Sequence, residues 1–103
     1  MITVDTVLGI NLIVSNPKVR NGRPCVLGTG LRVADVVIAS LFQLQTPDEI
    51  AVGFGITLAQ VYAALAYYYE HKAELDQDIQ EQIATTKALK EQHIAHGGRA
   101  ILP

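Results

Sequence analysis

Apolar positions along this chain follow two rhythms. In the first third they come in short β-branched runs, Ile2-Thr3-Val4 and Ile10-Asn11-Leu12-Ile13-Val14, which predict short strands. Ser15-Asn16-Pro17 breaks the second run, Asn21-Gly22 is a strong turn signal, Pro24-Cys25-Val26-Leu27 reads as a further short strand, and Gly28-Thr29-Gly30 turns again. From Val33 the spacing becomes helical. Val33, Val36, Val37, Ser40, Leu41 and Leu44 stand at i, i+3, i+4, i+7, i+8 and i+11, so a helix is expected to run to about Leu44 and to stop before Pro47.

Two helix starts follow, eleven residues apart. Thr46-Pro47-Asp48-Glu49 and Thr57-Leu58-Ala59-Gln60 both read as capping boxes, in which the Thr side chain accepts from the N3 amide and the N3 Glu or Gln reaches back to the cap amide. Pro47 takes the first helical position, where its missing N–H costs nothing. Gly53-Phe54-Gly55 can close the first of these helices, expected at roughly 47–53 with Ile50 and Phe54 turned inward. The next is expected to place Val61, Leu65 and Tyr68 on one face. A short helix, a tight turn and a longer helix form a helix-turn-helix, a frame used for DNA binding and equally for packing three helices. Tyr67-Tyr68-Tyr69 spreads over most of a helical turn, so at least one ring must reach solvent or an interface.

The pattern stays helical to the end. Leu75, Ile79, Ile83, Thr86 and Leu89 recur at spacings of three and four among polar residues, a narrow stripe that needs a partner surface. Gly97-Gly98 ends that helix, and Arg99 to Pro103 is an apolar tail containing Ile101 and Leu102. The resulting division is an arm over 1–32, a helix-turn-helix core over 33–70 and a C-terminal helix and tail over 71–103, within one structural domain.

Composition changes this picture in two ways. Half of the 103 residues are hydrophobic and only 17% are charged, which points to apolar surface covered by a second copy, hence a homodimer. The net charge of −2 hides an asymmetry. Residues 1–34 carry Lys18, Arg20, Arg23 and Arg32 against Asp5 alone, whereas the remainder has nine acids and four bases. An anion-binding surface must therefore draw on the arm. The longest apolar stretch, Val61 to Tyr69, is far too short to span a membrane, and no secretory signal is expected. A single cysteine, Cys25, forbids an internal disulfide and fits a reducing cytoplasm.

Candidate chemistry is sparse. His93 and His96 stand at i, i+3, but without two further ligands they read as solvated residues near a helix end. Cys25 has no His-plus-acid pattern beside it, and Gly28-Thr29-Gly30 lacks the rest of a phosphate loop. No catalytic residue, cofactor or metal is expected. For DNA binding, Thr57, Gln60 and Ala64 would face the groove, with Gln60 pairing adenine, and Lys18, Arg20, Arg23 and Arg32 would contact phosphates. The helix opened by Thr57 has no Lys or Arg before Lys72, which counts against that use. The other reading is a protein-interaction module. In either case Tyr67, Tyr69, Leu75, Ile79, Ile83, Leu89, Ile101 and Leu102 are the candidate partner-binding residues.

The segments Ile13 to Pro17, Asn21 to Val33, Thr46 to Ile50 and Leu58 to Tyr67 together resemble the bacterial domain-of-unknown-function family four-three-three, described as antitoxin-like. The resemblance covers about residues 10–80. It implies a mainly α fold, with a trihelical, homeodomain-like or winged-helix-like core behind a short β-arm and ahead of a long C-terminal helix. It also implies a PIN-like ribonuclease toxin as partner and the pair's own promoter as double-stranded DNA target. One departure stands out: the family usually has Gly-Thr-Arg, and here Gly30 replaces that Arg.

Overall fold

The computed structural model describes residues 4–95. It is mainly helical with one small antiparallel sheet. Strand β1 (Ile13–Val14) pairs with β2 (Cys25–Val26), Ile13 opposite Val26 and Val14 opposite Cys25. Both strands are shorter than the apolar runs that predict them. Of the expected strand at Ile2-Thr3-Val4, the first two residues lie outside the described residues, and Val4 is irregular and exposed.

The β1–β2 connection is a hydrogen-bonded knot. The Asn16 side chain accepts from the Lys18 amide (2.9 Å), the Val19 amide donates to the Asn16 carbonyl (2.8 Å), and the Ser15 hydroxyl donates to the Gly22 carbonyl. Arg20, Asn21 and Gly22 all hold positive φ (51°, 56° and 79°). Gly suits that region and Asn tolerates it, whereas for Arg it is strained. Beyond β2, Thr29 both donates to the Val26 carbonyl (2.8 Å) and accepts from the Leu31 amide (3.0 Å), closing the turn that feeds the first helix.

Helix α1 (Val33–Val37) opens with Asp35, whose carboxylate accepts from the Arg32 amide (3.0 Å) and pairs with its guanidinium (2.7 Å). It continues into a π-turn over Ile38–Phe42, with the Gln43 amide donating to the Ile38 carbonyl (3.0 Å). Val33, Val36 and Val37 are buried as the stripe requires. The π-turn then breaks the period, because an i→i+5 turn takes more residues per turn than an α-turn and shifts the residues beyond it off the stripe. Ala39 is buried instead, while Leu41 and Leu44 are exposed, against expectation.

Both capping boxes form. The Thr46 amide donates to Glu49 Oε1 (2.8 Å) and the Glu49 amide to Thr46 Oγ1 (3.2 Å), opening α2 (Pro47–Phe54). The Thr57 amide donates to Gln60 Oε1 (2.8 Å) and the Gln60 amide to Thr57 Oγ1 (3.1 Å), opening α3 (Leu58–Glu70). Gly55 takes φ 69° between them, and the chain bends by 112° from α2 to α3. That angle and a three-residue turn are the geometry of a helix-turn-helix. Helix α3 packs on both α1 and α2 and touches β1. The core draws on Val26, Val33, Val36, Val37, Ile50, Val61, Ala64 and Tyr68, all buried. Phe54, expected inward, is exposed, and Leu65 is only half-buried, its place toward the core taken by Ala64.

This first compact unit runs to Glu70; a second begins at His71 and holds α4 (Lys72–Ala95). Lys72 and Asp76 pair along α4 at 2.7 Å. No helix among the described residues is long and apolar enough to cross a membrane.

Candidate functional site

The helical period of α3 gives it two faces. Val61, Ala64 and Tyr68 are buried in the core. At about 100° per residue, Ala59, Tyr62, Ala63, Ala66 and Glu70 fall on the opposite side, with Tyr67 at its flank. This outer face is not a bare convex surface. Ile10, Asn11 and Ile13 of the arm stand beside it, and the two together enclose a groove of about 610 Å³. Its floor is alanine, its walls are tyrosine and isoleucine, and its only charged residue is Glu70. Tyr62 is 57% exposed. Within the tyrosine run Tyr68 is buried, Tyr67 half-buried and Tyr69 exposed, with the rings of Tyr68 and Tyr69 edge to face at 5.1 Å.

The residues expected to read DNA are placed poorly for it. Ala64 is fully buried, because it lies three residues from Val61 on the packed face, and so it cannot enter a groove. Thr57 and Gln60 are exposed or half-exposed, but each is the other's cap partner. A bidentate adenine contact needs the Gln60 oxygen that already accepts from the Thr57 amide. Arg32 is committed to Asp35 and its side chain is 15% exposed, so it offers phosphate little. Lys18, Arg20 and Arg23 are exposed on the knotted loop. The stretch of arm beside α3, from Ile10 to Ile13, is uncharged.

Gly30 has a specific neighbour. Its carbonyl accepts from Arg20 Nε at 3.1 Å, so a guanidinium reaches this position from the opposite turn of the arm. A Cβ built on Gly30 would meet nothing within 4 Å, and its φ is not left-handed. Cys25, buried between these turns, has its thiol pushed up by burial; Arg20 and Arg32 oppose that shift and Asp35 adds to it. A buried thiol of this kind is a poor nucleophile.

Of the expected partner-binding residues, Leu75 and Ile79 are already buried within one chain and are unavailable. Ile83 and Leu89 are exposed. Ile101 and Leu102 lie outside the described residues, as do the side chains of His93 and His96. Among the described residues no group of three His, Cys, Asp or Glu is placed to hold a metal. The groove itself was missed in the sequence. Its signal was the alternation of Ala and Tyr at 59, 62, 63, 66 and 67, which continues the helical period on the side away from the core.

Residues 13–68, more than half of the chain, match one family model. The chain belongs to that family, described as Protein of unknown function (DUF433), the one its motifs resemble. No curated protein and no solved structure matches the chain.

Proposed function

We propose that this chain is a dimeric protein-interaction module built on a helix-turn-helix frame, in which the outer face of α3 receives protein rather than DNA. The observation that supports this is the make-up of that face: an alanine-floored apolar groove walled by Tyr62 and the arm, with Glu70 as its only charge. DNA contact draws its affinity from cations near the phosphates, and this face has none. Exposed Ile83 and Leu89 on α4 give a second protein partner an apolar surface of its own. Cytoplasmic residence suits the single buried thiol of Cys25.

A second reading is a DNA-binding, antitoxin-like regulator that holds a PIN-like toxin and binds its own promoter. What favours it is Lys18, Arg20 and Arg23, three exposed cations on one hydrogen-bonded loop with no acid among them. A gel-shift titration of the full chain on the duplex upstream of its gene, at about 50 and about 200 mM salt, separates the two. The interaction module gives no shift at either salt. A shift at low salt that fades at high salt and disappears in Lys18→Glu/Arg23→Glu establishes the regulator instead.

A further inference from the structure

We propose that the α3 groove is an anchor pocket for a segment of a partner protein that carries an arginine and an apolar side chain, with the guanidinium seated against Glu70. The proposal rests on the reading of the outer face of α3 as a protein-binding surface and names what that surface selects. The groove follows α3 from Ala59 to Glu70, about 16 Å at the helical rise. That is room for a few side chains, the scale of an anchor within an interface and not of a whole interface.

The two ends of the groove differ in chemistry. Toward the start of α3 the lining is apolar: Ala59, Tyr62 and Ala63, with Ile10 and Ile13 of the arm beside them. At the far end stands Glu70, exposed and the only charge in the lining. No hydrogen bond or ion pair among the described residues engages its carboxylate. Helix α3 has no Lys or Arg to pair with it, and Lys72, the next cation along the chain, pairs with Asp76 at 2.7 Å. One turn back from Glu70 on the helix surface are Tyr67 and Ala66, both in the lining. An unpaired carboxylate beside an aromatic ring, at the end of an apolar floor, matches an amphipathic cation.

Arginine fits this arrangement better than lysine. Its planar guanidinium offers a carboxylate two parallel N–H donors, stacks on an aromatic face and is more weakly hydrated than an ammonium. Its methylene stem needs an apolar surface to lie on, and the short side chains of Ala63 and Ala66 leave that surface open. Tyr62 lies two turns from Glu70, about 12 Å along the axis, and at 57% exposure it has ring surface left for an apolar neighbour of the arginine. The same carboxylate repels a phosphate chain.

Amide NMR spectra of the full chain, titrated with the pentapeptide acetyl-Leu-Ser-Leu-Ser-Arg-amide, test the proposal. Extended, this peptide presents both leucines and the arginine on one side over about 13 Å. It is expected to shift amides of residues 59–70 and 10–13, and to bind about fivefold tighter than the same peptide with neutral citrulline for arginine. In Glu70→Gln, an exposed position that leaves the core intact, the two peptides are expected to bind equally. Butylguanidinium alone is expected to bind more weakly and to shift only the Tyr67–Glu70 end. Equal binding of the two peptides to wild type, an arginine advantage that survives Glu70→Gln, or no shift in the groove overturns the proposal. Butylguanidinium binding as tightly as the pentapeptide overturns it in favour of a free small cation. Groove amides that move on dilution of the protein alone overturn it in favour of a second copy. Equal binding of the two peptides within the groove leaves the protein-binding reading of α3 standing, whereas displacement of the pentapeptide by the upstream duplex removes that reading as well.

Discussion

Leu44 holds φ 56° where the π-turn ends, and its side chain is 80% exposed. An L-residue in this region pays about 1–2 kcal/mol that Gly does not, less the extra chain entropy Gly loses on folding, about 0.5–1 kcal/mol. Leu44→Gly is therefore expected to stabilise the protein by about 0.5–1 kcal/mol, read as a raised urea midpoint with an unchanged slope. Glu49 is a second residue with a measurable signature. Its hydrogen bond from the Thr46 backbone, then that from the Thr46 side chain, holds its carboxyl below the usual range. A lowered acid stabilises the fold above its unfolded value, near 4.3, and that contribution fades as pH falls through the folded value. Stability should drop on acidification below about pH 4, and the part due to Glu49 should vanish in Glu49→Gln, which caps without titrating. An equal acid loss in the variant would assign the effect to other carboxylates. At the same scale, Arg32 and Gln60 were candidates for DNA contact by residue type alone. Their partners, Asp35 three residues on and Thr57 three residues back, were in the sequence as local spacings.

Elements differ in how far local sequence dictates them. The two capping boxes and the Gly55 turn are short-range devices whose donors and acceptors all lie within five residues, so α2 and α3 start where their sequence says they do. The π-turn is different. Nothing in Ile38 to Phe42 marks it, because an α-turn would satisfy the same backbone groups. Its effect shows only in burial, with Ala39 inside and Leu41 and Leu44 outside. Helix α4 illustrates a further limit. Its stripe is buried at Leu75 and Ile79, whereas Ile83 is 39% and Leu89 61% exposed. A helix whose apolar stripe is buried near its start and exposed toward its end should open from the exposed end. Amide hydrogen exchange is expected to be slowest in α3, from Val61 to Tyr68, and much faster from residue 80 to 95. Uniform protection along α4 would contradict this.

For the whole molecule, the arm matters more than its length suggests. It joins the groove through Ile10 to Ile13, carries the exposed cations Lys18, Arg20 and Arg23, and brings the Arg20 guanidinium to the Gly30 carbonyl. The gel shift, measured on the full chain, therefore reports on residues 18–23 of this arm. By itself the sequence determined the mainly helical class, the helix-turn-helix and its caps, the order of elements and the family, because each rests on local hydrogen bonding or on the period of apolar residues. It also located the charge asymmetry. Only the tertiary structure decided that Ala64 is core and Ala63 groove, that Arg32 and Gln60 are already engaged, and that the arm stands against the outer face of α3. A helical period tells that a helix has two apolar faces. Which of them meets the core, and what stands beside the other, depends on contacts between segments distant in the chain.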